Sequence, residues 1–331
     1  MEDRTRNFLT SCAKMDFGTI ALSKTEVAFY KRFNHELISF CRSLPDSVQT
    51  DSLLFLLQYS GLNLGDELDF FAHYYPPSWS IVYWLSRNCA SSTGRFGKRD
   101  VSSAIEAQSM AMLLHSLDDH LTDGQVAVSH LSLLLRSQAW TIMNRAFCNL
   151  AEGLPGGEKA VRRFVAEYYW SLQDSKRLDS LDSYCDLFRG QMGIGMIAPI
   201  LLSTKMRRAL DFTRDLEVAY GSFGIAWRLL DDIKDIKADM EKGARSAIYF
   251  SLPEKLRTHW SNGTFRTQAA AETAKKSILI QILEHGVIDK IRGRICSELD
   301  AAASIVEACG LTGLAREFRC LARPIRKSDG P

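Results

Sequence analysis

The amino-acid sequence predicts an all-α protein, and two observations support this. Proline, which breaks helices, occurs only 8 times in 331 residues and leaves long uninterrupted intervals. Within those intervals apolar residues recur at steps of three and four, as between Met110 and Leu117, which is the spacing of one helix face. The sequence shows no convincing alternation of apolar and polar residues leading into a hairpin turn, the pattern of paired strands.

Short segments rich in glycine, proline or serine separate the helical patterns, and Glu152–Gly157 (EGLPGG) is a clear example. None of them is a long low-complexity linker, and no internal repeat is visible. We therefore expect one all-helical domain of about ten helices over residues 1–331. Its core is expected at about residues 60–320, with a polar, frayed tail at residues 321–331.

The charge balance and the cysteines limit the partners and the compartment. Lysine plus arginine total 41 and aspartate plus glutamate total 39, so no net field draws the chain to nucleic acid or an anionic membrane. The 8 cysteines are scattered without a CxxC pair, which is typical of reduced thiols. The longest apolar stretch, Met192–Leu202, is too short to span a bilayer. We expect a cytoplasmic protein with no nucleic-acid partner and no membrane span.

The first feature with chemical meaning is a group of aspartates at the end of an apolar helical pattern. Asp118, Asp119 and Asp123 form a DDxxxD arrangement, which we call the first aspartate cluster. Asp119 and Asp123 share a helix face, where like charges destabilise each other unless a cation lies between them. A magnesium ion, which binds carboxylate and phosphate oxygens, meets that need. A solvated helix end would show the same pattern, so this cluster alone does not decide the function.

The second aspartate cluster consists of four residues on one helical pattern, Asp231, Asp232, Asp235 and Asp239. Three of them recur at steps of four and so form one stripe, which drifts by about 40° per step. Neighbouring lysines, such as Lys234 and Lys237, leave open a surface face whose charges are neutralised. Two such clusters, each after an apolar helix, favour a shared metal-binding role.

These residues resemble the isoprenoid synthase superfamily. Gly224–Asp235 (GIAWRLLDDIKD) is similar to the second aspartate motif of trans-prenyl diphosphate synthases, with Trp227 and Arg228 in place of its usual aromatic and glutamine pair. The resemblance covers about residues 70–255 and implies an isoprenoid synthase helical bundle with a central active-site cavity. It also implies Mg²⁺ as cofactor, three ions held with the diphosphate by Asp118, Asp119, Asp123, Asp231, Asp232, Asp235 and Asp239.

Another part of the sequence is similar to class I terpene synthases. The stripe of three aspartates resembles their metal-binding triad. The segment Tyr184–Gly193 resembles their helix that breaks near a glycine and carries an arginine sensing the diphosphate. The resemblance therefore implies that Arg189 contacts the diphosphate and that Gly193 lies beside the substrate.

Two further comparisons bear on the branch of the superfamily. Asp235–Pro253 is similar to the DxxxD element of squalene and phytoene synthases, with extra residues inserted. Chain-elongating prenyl synthases usually carry an Arg-Arg-Gly after the first motif to bind a second diphosphate. Gly124–Leu131 stands there in this chain, and the arginine pair is absent.

Ionising an allylic diphosphate requires stabilisation of the leaving group's negative charge and a dry pocket for the carbocation. The expected cationic donors are Arg189, Arg228, Lys242 and Arg245. Aromatic ring faces stabilise cations, so the expected substrate-binding wall consists of Phe71, Tyr74, Trp84 and Trp227, with Gly193 at the helix break.

We expect a magnesium-dependent class I terpene synthase, a lyase that ionises farnesyl or geranylgeranyl diphosphate, cyclises the cation and releases diphosphate. The alternative is a prenyl transferase, either chain-elongating or of the squalene and phytoene head-to-head type. A helical interaction module with solvated aspartates is the non-enzymatic alternative. Members of the superfamily commonly dimerise, so a homodimer is possible, although no segment of the sequence marks an interface.

Overall fold

The computed structural model describes residues 2–88, 96–173, 178–206, 210–261 and 268–327. Within these ranges the chain forms sixteen α-helices, a short 3-10 helix at Phe70–His73 and no β-strand, which confirms the all-α prediction. The helices are α1 (Glu2–Ala13), α2 (Lys24–Arg42), α3 (Asp46–Tyr59), α4 (Pro77–Asn88), α5 (Lys98–Thr122), α6 (His130–Ala151), α7 (Gly157–Gln173), α8 (Leu181–Gln191), α9 (Gly193–Lys205), α10 (Leu210–Lys234), α11 (Ile236–Lys242), α12 (Ala247–Ser251), α13 (Glu254–Ser261), α14 (Gln268–Glu284), α15 (Val287–Ala308) and α16 (Thr312–Lys327).

Local sequence sets the ends of these helices. α2 begins with a capping box, in which the Glu26 backbone N–H donates to Ser23 Oγ at 3.3 Å and the Ser23 N–H donates to Glu26 Oε2 at 2.8 Å. α11 ends at Gly243, which has a φ of 66°. That left-handed conformation is easy for glycine and costly for residues with a Cβ. A capping box and a glycine therefore set the start of α2 and the end of α11.

The long helices α5 and α10 organise the bundle. α5 packs along α6 and α2, α10 packs along α15, and α15 packs against α16. α9 lies inside this arrangement, and ten of its 13 residues are buried, which explains why Met192–Leu202 has no polar face. Among the described residues, no helix combines the length and the apolar character needed to cross a membrane.

The packed core extends beyond the expected limits of residues 60–320 at both ends. Phe8 on α1 and Phe33 on α2 are fully buried. At the other end the expected tail at residues 321–331 is wrong as far as residue 327, because α16 continues to Lys327 with Leu321 and Ile325 buried on one face. The spacing of those apolar residues outweighs the polar residues between them. Residues 328–331 lie outside the described part of the chain.

The segment between α1 and α2 crosses to the last helix. The Gly18 N–H donates to the Leu321 carbonyl at 3.1 Å. A Cβ placed on Gly18 would lie 2.1 Å from the carbonyl oxygen of Cys320, so this close approach excludes any larger residue without a backbone shift. Nearby, the Tyr75 hydroxyl donates to the Asp16 carboxylate. The segment between α1 and α2 is therefore held against α16 and against Tyr75.

Candidate active site

A cavity of about 360 Å³ opens between α5, α8 and α10, and we call it the central cavity. Asp119 lines it from α5 and Asp231 lines it from α10. Phe188 from α8 and Trp227 from α10 supply apolar walls, and Tyr74, just after the 3-10 helix, lies towards its inner end. One aspartate from each cluster therefore lines the same space.

Electrostatics show that the two clusters are within reach of each other. Burial raises the pKa of Asp231 to about 6, Arg228 opposes the rise, and the charges of Asp235, Asp232 and Asp119 add to it. The influence of Asp119 on Asp231 crosses the cavity from another helix. Crowded carboxylates of this kind are stabilised when a divalent cation lies between them.

The residues present fit magnesium held jointly with a diphosphate. Among the described residues no group of three histidine, cysteine or acidic side chains converges on one point. Magnesium usually binds through one or two carboxylates and completes its shell with water and substrate phosphates, so paired single carboxylates suit it. A buried oxygen of Asp239, Oδ2, has no hydrogen-bond partner, and burial raises the pKa of this residue to about 6. Asp123 and Asp235 are exposed one turn beyond Asp119 and Asp231.

The first member of the DDxxxD arrangement is turned away from the cavity. The Asp118 carboxylate receives two hydrogen bonds from Arg136 on α6, at 2.5 and 3.0 Å, and one from the Tyr168 hydroxyl at 3.3 Å. Its oxygens are therefore occupied by protein donors. Asp118 fixes α5 against α6 and α7, and its expected place among the metal ligands is not supported.

Asp232 shows the same behaviour in the second cluster. It is 2% exposed, and its Oδ2 accepts from the Tyr184 hydroxyl at 2.8 Å and from the Ala247 backbone N–H at 2.7 Å. Its Oδ1 lies 3.0 Å from Arg228 Nε. The carboxylate joins α8, α10 and α12, so the structure assigns it a structural position rather than the expected metal-binding one.

Arg228 is the expected donor that reaches the central cavity. Its Nε lies 2.6 Å from the Tyr184 hydroxyl, and its guanidinium carbon lies 5.6 Å from the centre of the Phe188 ring. The buried charge of Asp232 raises its pKa, so the guanidinium stays charged. Asp231 lies 3.8 Å from its Nη1, which places this cation beside the second cluster.

The other three expected donors lie outside the cavity lining. Arg189 pairs with Asp186 at 2.5 Å, and its stem packs so closely on α10 that a Cβ on Gly221 would lie 2.9 Å from it. Lys242 is exposed in the last turn of α11. Arg245 donates to the Leu178 carbonyl, and its guanidinium lies 5.3 Å from two ring centres. None of these three side chains lines the central cavity.

Two of the four expected aromatic residues form the cavity wall. Tyr74 and Trp227 meet edge to face with ring centres 5.5 Å apart, and the Tyr74 hydroxyl donates to the Met112 carbonyl at 2.7 Å. Phe71 is buried behind them, with its ring centre 5.9 Å from that of Tyr74. Phe71 therefore supports the wall from within the core.

Trp84 and Gly193 are placed elsewhere. Trp84 Nε1 donates to Glu317 on α16 at 2.7 Å, and a Cβ on Gly313 would lie 2.1 Å from its ring. This tryptophan therefore packs α4 against α16, and its expected substrate contact is wrong. Gly193 follows the break between α8 and α9 at Met192, as expected, but it packs on Phe164 of α7 instead of the cavity.

Several cavity residues escaped the sequence analysis. His115 lines the cavity one turn before Asp119, and burial lowers its pKa while the acidic charges of Asp119 and Asp118 oppose the shift. Gln191 and Met192 line it from the end of α8. The step of four from His115 to Asp119 was a usable signal, because it puts both side chains on one helix face.

Comparison with known proteins shows the fold. No protein-family model and no curated protein matches the sequence. Solved structures do match: the chain has the fold of the isoprenoid synthase superfamily. It is similar to a geranylgeranyl pyrophosphate synthase with a TM-score of 0.65, 14% identity and coverage of 93% of this chain and 100% of that one.

Two further solved structures were determined with ligands. A polyprenyl synthase from Caulobacter crescentus CB15, complexed with calcium and isoprenyl diphosphate, has a TM-score of 0.64, 13% identity and coverage of 91% and 96%. A geranylgeranyl pyrophosphate synthase from Corynebacterium glutamicum, complexed with isoprenyl diphosphate and magnesium, has a TM-score of 0.56, 14% identity and coverage of 91% and 100%. At these identities the likeness concerns the fold.

Proposed function

We propose that this chain is a magnesium-dependent enzyme that ionises an allylic prenyl diphosphate. The observation that carries the proposal is the meeting of Asp119 and Asp231 across one cavity, with Arg228 beside them and aromatic residues at its inner end. Bound magnesium would stabilise the negative charge that develops on the leaving diphosphate. An enzyme of this kind needs both a polar, metal-binding mouth and an apolar interior.

The chain's own residues divide this work. Asp119 and Asp231 hold the metal ions, with Asp123, Asp235 and Asp239 as further candidates from the same clusters. Arg228 donates to a diphosphate oxygen, and its position is fixed by Asp232 and Tyr184. Tyr74 and Trp227 exclude water from the cation and present aromatic surface to it.

After ionisation the carbocation has to react further, and its transfer to a second substrate is the first candidate for this step. The solved structures that share this fold are named as prenyl diphosphate synthases, which supports a prenyl transferase. The DDIKD sequence and the spacing of Asp119 and Asp123 point the same way. The chain-elongating and head-to-head types both remain within this candidate.

Cyclisation is the second candidate, and a specific observation favours it. Gly124–Leu131, which follows the first cluster, contains no arginine, although a chain-elongating enzyme binds a second diphosphate near there. Among the described residues, the cavity lining contains one guanidinium, that of Arg228, and no lysine. Such a site holds one diphosphate more readily than two.

Product analysis tests the proposal and separates the candidates. The protein is incubated with magnesium and farnesyl or geranylgeranyl diphosphate, with and without isopentenyl diphosphate. A longer diphosphate supports prenyl transfer, and a hydrocarbon or alcohol from the single substrate supports cyclisation. A head-to-head product from two allylic molecules supports the squalene and phytoene type. No consumption of any substrate would leave the interaction module as the better hypothesis.

Matched variants connect turnover to the cavity. Asp119→Asn and Asp231→Asn are each expected to reduce turnover by about 10² or more, since each removes a carboxylate from the metal-binding mouth. Asp51→Asn removes an exposed carboxylate on α3 that does not line the cavity, and is expected to leave turnover unchanged. Near-normal turnover in either cavity variant would contradict the assignment of that residue.

A further inference from the structure

A second groove lies on the outside of the bundle, between α1, α11 and α14, and we call it the outer groove. Its volume is about 780 Å³, within the range of about 300–1,000 Å³ that is usual for small-molecule sites. It shares no lining residue with the central cavity. The function of the central cavity does not account for it.

The floor of the outer groove is apolar. Leu9 on α1, Met240 on α11 and Leu279 on α14 each contribute a side chain, so all three helices present apolar surface to one space. Leu279 is 5% exposed, and the other two are half-buried. A strip of this kind suits a hydrocarbon chain.

The rim of the outer groove is basic. Five of its lining side chains are cationic, and one, that of Glu241, is acidic; the cationic ones are Arg6, Lys14, Lys237, Lys275 and Lys276. The whole chain carries 41 basic and 39 acidic residues, so this concentration is a local departure from near balance. Within the described part of the chain, Arg6, Lys14 and Lys237 form no ion pair. Like charges gathered in this way attract an anion.

We propose that the outer groove binds a free anionic amphiphile with one apolar chain, of the class of a prenyl phosphate or diphosphate. The rim explains the anionic head, because Arg6, Lys14 and Lys237 line the groove without an ion pair of their own among the residues that the structure describes. The floor explains the chain, because an inorganic anion would leave it unused. The choice of a prenyl chain over other tails rests on the proposed function, whereas the groove and its charges do not.

The outer groove also contacts the element that carries part of the second cluster. α11 has seven residues and presents Lys237 and Met240 to the groove, while Asp239 of the same helix has a buried oxygen without a partner. An occupant would therefore touch the helix that holds Asp239. The outer groove is a binding site next to the proposed reaction site, with its own ligand contacts.

Binding is tested with farnesyl monophosphate, below its critical micelle concentration, by titration calorimetry on the full chain in EDTA. EDTA removes the metal through which Asp119 and Asp231 would hold a phosphate, so binding that is lost on changing the rim lysines reports the outer groove. The double variant Lys14→Glu/Lys237→Glu is expected to weaken the Kd by at least about tenfold, because it reverses two rim charges. Lys290→Glu, which reverses an exposed charge on α15, is the matched control and is expected to bind as the wild type does. Asp119→Asn is expected to retain binding.

Further arms distinguish the components of the ligand. Farnesol and inorganic pyrophosphate are each expected to bind at least tenfold more weakly than the phosphate ester, since each lacks one of the two features. Absence of binding by the wild type, equal binding by the double variant, or loss of binding in Asp119→Asn overturns the proposal. Vesicles containing anionic phospholipid that bind through these lysines in preference to the free ester would assign the groove to a membrane surface and also overturn it. These outcomes do not depend on turnover, so they are separable from a failure of the proposed function.

Discussion

Replacing Arg228 with methionine should separate its structural role from its chemical one. The substitution removes the cation beside Asp232, a carboxylate that is 2% exposed. Breaking a buried ion pair typically costs about 3–5 kcal/mol. Asp232 keeps its hydrogen bonds from Tyr184 and Ala247, and the Arg228 side chain is 33% exposed, so we expect the lower end, about 3 kcal/mol.

Stability is measured by urea unfolding followed by circular dichroism, and the variants are compared only if the unfolding free energy depends on urea concentration with the same slope. Turnover is measured on the same proteins. The double variant Arg228→Met/Asp232→Asn should recover at least about half of the lost stability, since the buried charge is gone and an amide can still bond to Tyr184 and Ala247. Its turnover should stay low, because the guanidinium at the cavity is still missing. Arg87→Met, at an exposed position of α4, is the control. A double variant no more stable than the single variant, or one that regains turnover, would refute this reasoning.

Three further predictions test other parts of the structure. Asp118→Asn should destabilise the protein by about 1–3 kcal/mol, because it weakens the hydrogen bonds from Arg136. Its turnover should stay within a few-fold of wild type. A loss of turnover comparable with that of a cavity variant would instead place Asp118 at the metal. Burial raises the pKa of Glu317 to about 7 from 4.5, so the unfolding free energy should fall as the pH rises from about 4.5 to 7 and then level, by up to about 3 kcal/mol. Glu317→Gln should flatten that part of the pH profile in chemical denaturation, and an unchanged profile would contradict it. Tyr74→Ala should enlarge the inner end of the central cavity and raise turnover with geranylgeranyl diphosphate relative to farnesyl diphosphate. If the ratio of the two turnover rates, measured in competition, is unchanged, Tyr74 does not limit the length of the prenyl substrate.

The sequence predicts those features that depend on helical spacing. Asp119 and Asp231 line one cavity because each follows an apolar helical pattern. Trp227, one turn before Asp231 on the same helix, lines the cavity as well. The break near Gly193 was also visible as a run of small residues. Spacing of this kind is a local property, so a single sequence contains it.

Orientation within a pair of adjacent aspartates could not be predicted in this way. Asp118 faces Arg136 and Asp232 faces Ala247, and these partners become neighbours only when separate helices pack. Trp84 was misassigned for the same reason, since its partner Glu317 is 233 residues away. The case of Arg189 is different, because the acidic Asp186 three residues earlier was already visible as a competing partner.

The contact between Gly18 and α16 has a consequence for biosynthesis. Roughly 300 residues separate the Gly18 N–H from its acceptor, the Leu321 carbonyl. At translation rates of about 5–20 residues per second, the segment that contains Gly18 waits for about 15–60 s before its acceptor has been made. During that time Phe17, which is buried in the finished bundle, has no final packing site on the ribosome-bound chain. Docking of this segment therefore has to follow the synthesis of α16, and a nascent chain stalled before α16 would expose an apolar, aggregation-prone amino-terminal segment.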